Sequence, residues 1–354
     1  MDSLVRAQTD EHVLRALMRH RRLTRAELAT EIGISKPTAG ESVRRLTERG
    51  LVADTGERTP GGRGRGRVGS YYALTPETGV ALAVTIAPAG VTAECLDVYG
   101  DTIARAVRRI DRPARPSQVA EALRDAAAEV SAGRPARLAV VGAADPVDRA
   151  SGRLVHLPDS PFLVGELDPA AILAPLAVVA DNDVNWAALA EPGRPRDFAY
   201  LYLGEGLGCA IVNDGEVRRG HGGLAGEIAH LLTAGPGGRA TPFIEVFGEL
   251  GLRREGSTAI DVERLLGSDA AVREVIGSAV AGVIAAVVAL ADPSEVVIGG
   301  SWGPGLIDGI RVAAGPMPRQ VPLRVASGGG EPVLAGVRAE ALDRLRAAVL
   351  SVPS

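Results

Sequence analysis

The fold of this chain is set by residues 201–231, whose sequence is LYLGEGLGCAIVNDGEVRRGHGGLAGEIAHL. The stretch continues an apolar run, residues 198–203, that predicts a buried strand. The tetrapeptide Asn-Asp-Gly-Glu at 213–216 predicts a hairpin turn, because Asp-Gly tolerates the positive φ of tight hairpins. Closely spaced glycines then bring the backbone near another segment, and we expect a helix to begin near Glu227. These chain reversals end in the carboxylate of Glu227 and the imidazole of His230, so they predict a ligand-binding site.

The composition is that of a globular protein with two or three domains. The chain has 354 residues, of which 46% are apolar and 23% charged, while aromatic residues make up only 3%. Its core must therefore be built from aliphatic side chains. Cys95 and Cys209 both lie in apolar runs, so we interpret them as buried thiols with neither a disulfide framework nor a metal cluster.

Targeting signals and membrane spans are not expected. Residues 1–10 carry charges of both signs and lack an apolar segment, which argues against a signal peptide. The longest apolar run, residues 275–291, is about one turn too short for a comfortable span. We interpret it as a core helix and predict a cytoplasmic protein that does not associate with membranes.

The charge is distributed unevenly along the chain. Residues 1–75 contain 14 Lys or Arg against 9 Asp or Glu, a balance of +5, so the remainder carries −9 of the total of −4. A basic head on an acidic body suggests that the head binds a polyanion.

Residues 1–75 are predicted to be a winged helix-turn-helix DNA-binding domain. Thr24 and Glu27 form a capping-box pattern at the start of a helix that Gly33 ends. Ser35 caps the next helix, which we expect to continue to about Arg49. Two short helices joined by Gly-Ile-Ser are typical of a helix-turn-helix.

The second of these helices is predicted to enter the major groove, where its early residues reach base edges and its later arginines contact phosphates. The candidate DNA-binding residues on this helix are Ser35, Lys36, Pro37, Thr38, Glu41, Arg44 and Arg45. A wing follows, with strands expected at 51–55 and 68–74. Arg63, Arg65 and Arg67 alternate with glycine at its tip and are predicted to follow a narrow minor groove. A helical bundle with a solvated face, and a wing tip that stays in solvent, remain the alternatives.

The rest of the chain, residues 78–354, has the pattern of a two-lobed α/β body. Two strand-rich halves are each followed by helices, and we expect the ligand cleft between the halves. The expected strands lie at 80–86, 91–98, 102–108, 138–142, 176–180, 198–203 and 296–300, and the expected helices include 117–131, 275–291 and 334–349.

Four motifs of this body resemble the ROK family of repressors and sugar kinases. They are Asp-Asn-Asp-Val-Asn at 181–185, the GxGxG turn at 204–208, GLAGEIAHL at 223–231 and VVIGGSW at 296–302. The resemblance implies an actin-like, hexokinase-like fold with two lobes. The winged helix-turn-helix in front of it is similar to that of the family's transcriptional regulators.

Two departures from the family argue against phosphoryl transfer. Family kinases have Asp-x-Gly-Gly-Thr in their first phosphate turn, where this chain has Thr-Ile-Ala-Pro-Ala at 85–89. The second turn usually contains Gly-Thr-Gly, but residues 204–206 are Gly-Glu-Gly, and a carboxylate repels phosphate oxygens. We therefore predict that the chain is not an enzyme and needs no cofactor. Residues 234–245, which align loosely with the family's zinc loop, contain no cysteine, so no structural zinc is expected.

The positions that bind sugar in the family are better retained. The resemblance implies that the effector-binding residues are Asp159, Asn182, Asp183, Glu227, His230 and Glu245. Asp183 matches the kinase base and can still accept a hydrogen bond from a sugar hydroxyl. Asp159 replaces the usual Asn, and Asp145-Pro146 replaces the usual Pro-Gly, which suggests an altered ligand preference. The alternatives are that His230 is a core histidine and that Asn182 and Asp183 only cap a helix.

The leading hypothesis is a transcriptional regulator, in the first place a repressor, controlled by a sugar or phosphosugar effector. Its expected partner is a double-stranded DNA operator with an inverted repeat, which requires a homodimer or a dimer of dimers. One rival is an active ATP-dependent sugar kinase that also binds DNA. Another is a constitutive DNA-binding protein whose body only dimerises.

Overall fold

The computed structural model describes residues 2–59, 68–157, 160, 162–163 and 165–351, with side chains from residue 5 onward. In this part of the chain, a small head with a three-stranded sheet precedes two lobes, each built around a five-stranded sheet. The predicted α/β class and the two-lobed body are confirmed.

The head has the topology of a winged helix-turn-helix. Its elements are α1 (Asp2–His20), β1 (Arg22–Thr24), α2 (Arg25–Glu31), α3 (Lys36–Glu48), β2 (Val52–Arg58) and β3 (Ser70–Leu74). The predicted capping box is present: the N–H of Glu27 donates to Thr24 Oγ1 at 3.2 Å, and the N–H of Thr24 donates to the Glu27 carboxylate at 2.8 Å. The short strand β1, which the sequence pattern does not predict, pairs with β3 and places β3 in the middle of the sheet.

The first lobe follows directly. Its elements are β4 (Val80–Ala87), β5 (Gly90–Leu96), β6 (Thr102–Arg108), α4 (Pro116–Ser131), β7 (Ala136–Ala143), α5 (Pro169–Ile172) and β8 (Ala177–Asn182). The strand order is β6-β5-β4-β7-β8, with β5 antiparallel to its neighbours and β4, β7 and β8 parallel.

The remaining elements belong to the second lobe, apart from the last helix, which packs on the sheet of the first lobe. They are α6 (Asp183–Leu189), β9 (Phe198–Leu203), β10 (Leu207–Asn213), β11 (Glu216–Val217), β12 (Leu232–Ala234), β13 (Ala240–Pro242), α7 (Phe243–Glu249), α8 (Val262–Leu266), α9 (Ala270–Ala291), β14 (Val296–Gly299), α10 (Ile307–Ala314), β15 (Leu323–Val325) and α11 (Pro332–Leu350). Its strand order, β11-β10-β9-β14-β15, repeats the plan of the first lobe: an antiparallel hairpin is followed by two parallel strands. Helices α6 and α11 pack against each other, and α11 returns to the first lobe and covers β4 and β7.

Helix α9 is, within the described residues, the one helix long and apolar enough to cross a membrane by length and composition. Half of its most apolar 18-residue segment is buried inside the molecule. Ile276, Val280 and Ile284 are fully buried in the core of the second lobe. This packing is that of the core helix predicted from residues 275–291.

The helix predicted to begin near Glu227 is absent from residues 224–231, which form turns before β12 begins. Glycine geometry explains the error. Gly223 has φ 87°, and a Cβ there would lie 1.9 Å from Val147 O; Gly226 has φ 98°, and its Cβ would lie 1.7 Å from Cys209 O. Positive φ angles and such close approaches interrupt a helix, and they hold this loop against both lobes.

Residues 234–245, which the resemblance aligns with a zinc loop, form a β-hairpin and the start of α7 in this structure. β12 pairs with β13 in the register Leu232–Pro242 and Ala234–Ala240. The tip is closed by the N–H of Gly235, which donates to Arg239 O at 2.7 Å. Thr233 anchors the hairpin to α9, because its hydroxyl donates to Ala279 O at 2.6 Å. Backbone pairing thus gives these residues a defined structure.

The head and the first lobe share one hydrophobic core. Val13, Leu17 and Leu46 of the head belong to the same buried cluster as Leu345 and Val349 near the end of α11. The head therefore rests on the body through apolar packing as well as through polar contacts.

Candidate ligand cleft and DNA-binding surface

A cleft of about 570 Å³ lies between the two lobes, a volume that accommodates a small organic ligand. Both lobes contribute to its walls. Of the predicted effector-binding residues, the cleft is lined by Asn182, Asp183, Glu227 and His230. The chain thus brings together residues that are far apart in the sequence and were proposed as one site.

Asn182 and Asp183 lie at the junction between β8 and α6. The Oδ1 atom of Asn182 accepts a hydrogen bond from the N–H of Val184 at 3.0 Å, so Asn182 caps α6. Its amide nitrogen lies 3.5 Å from both Ala143 O and Asp145 O. The capping role is confirmed, and contact with a sugar remains a prediction for both residues.

Asp145, in the loop that follows β7, also lines this cleft and was not among the predicted site residues. Its side chain is 1% exposed, and its Oδ1 atom accepts a hydrogen bond from Ser160 Oγ at 2.5 Å. No donor in the described part of the chain reaches its Oδ2 atom. The sequence signal for this residue is the replacement of the family's Pro-Gly by Asp145-Pro146, which predicts an altered ligand preference but does not by itself identify Asp145 as a cleft residue.

The surroundings of three carboxyl groups in the cleft, those of Asp145, Asp183 and Glu227, favour their protonated forms. Burial raises the pKa of Asp145 to about 6, although the hydrogen bond from Ser160 opposes the shift. Burial, reinforced by the charges of Asp145 and Glu227, raises the pKa of Asp183 to about 7. Burial and the nearby Asp145 likewise raise the pKa of Glu227 to about 7. Desolvation and mutual repulsion thus act in the same direction here.

One predicted effector-binding residue, Glu245, is not part of this arrangement. Glu245 does not line the cleft; its carboxylate pairs with Arg253 at 2.9 Å and its side chain is half-exposed. Glu245 lies in the first turn of α7, and its contact with a sugar remains a prediction. Asp159 lies outside the described residues.

The opposite half of the cleft contains the two turns that bind phosphate in family kinases. Here Glu205 forms ion pairs with Arg112 at 2.6 Å and with Arg254 at 2.8 Å. Arg112 also donates from Nε to Pro88 O at 2.9 Å. We call Glu205, Arg112 and Arg254 the Glu205 clasp. It connects the first lobe, through Arg112, to the second, and it occupies this half of the cleft with paired side chains.

Helix α3 presents most of the predicted DNA-binding residues to solvent. Ser35 caps the helix by accepting from the N–H of Thr38 at 3.2 Å. Most of the predicted set is exposed, namely Ser35, Lys36, Pro37, Thr38, Glu41 and Arg44. Arg44 pairs within the helix with Glu41 and Glu48, so phosphate would compete with two carboxylates for it.

Arg45 differs from the expectation of an outward phosphate contact. Its guanidinium bonds to the buried carboxylate of Asp10 at 2.6 and 3.2 Å, and Ser42 donates to the same carboxylate. This network fixes α3 to α1, because a buried charge needs its partners. Arg63, Arg65 and Arg67 of the wing tip lie outside the described residues.

Two segments of the chain match known families. Residues 6–53 match a winged helix-turn-helix DNA-binding family, and residues 92–244 match the ROK family. The bifunctional enzyme NanE/NanK of Brucella melitensis biotype 1 is 34% identical over 173 residues, which are 45% of this chain and 33% of that protein. The chain therefore spans only about a third of the length of this relative.

Solved structures share the fold over a larger part of the chain. A ROK family transcriptional regulator, described as a homolog of the E. coli MLC protein, superposes with a TM-score of 0.59 at 17% identity; the match covers 97% of this chain and 98% of that one. A ROK hexokinase from Thermus thermophilus has a TM-score of 0.58 at 24% identity and covers 76% of this chain and 99% of its own. At these identities the likeness establishes the fold. The regulator aligns with the head as well as the lobes, whereas the hexokinase matches about three quarters of the chain.

Proposed function

We propose that this chain is a transcriptional regulator whose binding to DNA is controlled by a sugar or sugar derivative. Residues 92–244 match the ROK family, and residues 6–53 in front of them match a winged helix-turn-helix family. The observation that carries the proposal is the occurrence, in one chain, of an exposed α3 and a polar cleft lined by Asn182, Asp183, Glu227 and His230. Carboxylate, amide and imidazole groups are suited to recognise hydroxyl groups.

We further propose that the cleft binds its ligand without phosphorylating it. The Glu205 clasp supports this view, since Glu205 places a carboxylate where a kinase would hold phosphate oxygens. Both arginines of the clasp are already paired with that carboxylate. At the first turn, Pro88 has no N–H to offer to a phosphate, and its carbonyl accepts from Arg112.

A continuous packed route supports communication between the cleft and the head. Helix α6 begins at Asp183 and packs tightly on α11: a Cβ at Gly336 would lie 2.1 Å from Trp186 O. The last turns of α11 share a core with the head. A ligand that favours one arrangement of the lobes could thus bias the position of the head, provided that it binds the two arrangements with different affinities.

We place the protein in the cytoplasm as a homodimer or dimer of dimers that represses transcription from an inverted repeat. Two heads on one operator would multiply the modest affinity of each head.

A second candidate is a sugar kinase that also binds DNA. Asp183 at the cleft and the fold shared with a ROK hexokinase favour it. It requires ATP to bind beside Glu205 and to open the clasp.

The test uses the full chain. A duplex that it binds is selected from a random pool, and sugars and phosphosugars are screened for a thermal shift and then for release of this duplex. We expect at least one sugar to do both, with about 2.7 kcal/mol of stabilisation at 100 times its dissociation constant. Lys36→Ala should weaken DNA binding and leave the sugar-induced shift unchanged.

Three outcomes would contradict the proposal. They are failure to select any duplex, the absence of a shift with every sugar, and phosphorylation of a hexose from ATP that Asp183→Asn abolishes. The last result would establish the kinase instead.

A further inference from the structure

We propose that the effector is a sugar that carries a protonated amino group and that Asp145 is the residue that selects it. This inference rests on the proposed function and names the class of ligand for the same cleft.

The incomplete hydrogen bonding of Asp145 is the first observation. Its side chain is 99% buried and lines the cleft, and among the described residues only the hydroxyl of Ser160 bonds to it, at 2.5 Å from Oδ1. Within the described residues, Oδ2 accepts no hydrogen bond. An unpaired buried carboxylate oxygen is costly, and native proteins leave few of them. A donor on the ligand would supply the partner that the described part of the chain does not.

The charge around Asp145 is the second observation. The carboxyls of Asp183 and Glu227 line the same cleft and interact with that of Asp145, and this repulsion contributes to their raised pKa values. Two carboxyls suffice to accept hydrogen bonds from the hydroxyls of a neutral sugar. The third adds negative charge that such a sugar would leave uncompensated.

The chain offers little positive charge to offset it. Among the described residues that line the cleft, the arginines are Arg112 and Arg254, and both are paired with Glu205 in the other half. The nearby imidazole of His156 is bonded through Nδ1 to Leu163 O at 2.9 Å. The side chain of His230 is exposed at the cleft wall. The compensating charge must therefore come chiefly from the ligand.

The geometry favours an ammonium group over a metal ion or a phosphosugar. In the described part of the chain, no group of three His, Cys, Asp or Glu side chains is placed to hold a metal ion. An ammonium group has three donors and can satisfy several carboxylate oxygens at once. A phosphate group would add negative charge to a site that already repels it.

The experiment measures binding to the full chain by calorimetry at neutral pH. The probes are glucosamine and mannosamine, the parent hexoses glucose and mannose, the N-acetylated hexosamines, and glucosamine 6-phosphate. We expect one of the two free amines to bind at least about tenfold more tightly than its parent hexose and its N-acetyl derivative. Glucosamine 6-phosphate should bind more weakly than glucosamine.

The decisive variant is Asp145→Asn, which keeps an acceptor for Ser160 but removes the charge. It should lose the preference for the amine, because its affinity for the amine falls by a larger factor than its affinity for the parent hexose, while its own Tm stays equal to or above that of the parent protein. Asp308→Asn removes the same charge from an exposed position on α10 that does not line the cleft, and it should leave the preference intact.

The outcomes separate this inference from the function on which it rests. If a neutral or phosphorylated sugar binds most tightly and releases DNA, the proposed regulatory function is supported and the proposal of an amino sugar as effector is wrong. If the amine binds but Asp145→Asn keeps the preference, Asp145 is not the selecting residue. If no probe of any class binds, both proposals lose their support.

Discussion

Two electrostatic effects act in opposite directions on the ionisation of Asp183. At the start of α6 its negative charge suits the helix N-terminus, which favours ionisation. Burial and the carboxyls of Asp145 and Glu227 act against that charge more strongly, so the pKa of Asp183 rises to about 7. A polar ligand would relieve this conflict. We therefore propose that Asp183 contributes to the affinity for a ligand, because a ligand donor would offset the cost of its buried charge.

We expect the effect of Asp183→Asn on the free energy of unfolding to depend on pH. The folded protein holds the Asp183 proton at pH values where the unfolded chain, with a pKa of about 3.8, has released it. This contribution to stability is present at low pH and is lost as the pH rises through about 7, so parent and variant should diverge with increasing pH. After allowance for the partial exposure of the side chain, the free energy of unfolding of the variant should exceed that of the parent by about 1–2 kcal/mol near pH 8 and by little near pH 4.

The measurement is urea unfolding of both proteins across this pH range without ligand. Asp308→Asn removes the same charge from an exposed position on α10 and is the control. A constant difference between Asp183→Asn and the parent would show that the group is ionised in the folded state throughout.

At the scale of elements, the loop between β11 and β12 owes its shape to glycine. It crosses from the second lobe to the first: Gly223 lies against Val147 O, and Arg149 donates to Gly220 O at 2.7 Å. The Gly226 carbonyl accepts from the N–H of Cys209 at 2.9 Å, which fixes the loop to β10. These close approaches, and not helix formation, position Glu227 in the cleft.

Gly226→Ala should therefore be strongly destabilising. A Cβ would overlap Cys209 O at a φ of 98°, a value that side chains rarely adopt, so the loop must move. We expect a loss of about 2 kcal/mol or more in the free energy of unfolding, together with loss of sugar binding. Gly222→Ala is a matched control in the same loop, because among the described residues no atom lies within 4 Å of its Cβ position. Equal stability of the two variants would show that the loop can relax at no cost.

Across the whole molecule, the head and body are joined by polar contacts around a shared core. Arg21 binds Asp101 through two hydrogen bonds of 2.6 and 2.7 Å, and its guanidinium stacks 5.2 Å from the centre of the Tyr99 ring. Tyr99 Oη accepts from the N–H of Leu74 at 3.2 Å and donates to Arg21 O at 3.3 Å. Arg346 of α11 donates to the Val98 carbonyl at 3.0 Å, which connects the same turn to the route from the cleft.

Arg21→Ala should therefore weaken the coupling between ligand and DNA. The sugar affinity of the variant should stay within about twofold of the parent, since Arg21 does not line the cleft. The factor by which sugar changes operator affinity, typically about 5- to 150-fold in allosteric proteins, should fall towards one. Operator titrations with and without sugar measure this factor. Arg311→Ala, which removes a surface ion pair with Asp308 elsewhere in the body, is the control and should leave the coupling factor unchanged. If Arg21→Ala also leaves the coupling factor unchanged, the contact between Arg21 and Asp101 plays no part in the coupling.

The sequence by itself determined the features that depend on neighbouring residues. The capping box of Thr24 and Glu27, the cap at Asn182, the buried strands and the two-lobed α/β plan all follow from local hydrogen bonding and from the period of apolar residues. Only the tertiary structure decided which distant side chains meet. It paired Arg45 with Asp10, brought Glu205 to Arg112 and Arg254, and placed Asp145 beside Asp183 and Glu227. It also replaced the predicted helix at Glu227 with turns, because the approach of Gly226 to Cys209 is a contact between segments that no local pattern encodes. The charge of a cleft is a sum over residues from several elements, and that sum exists only once the chain has folded.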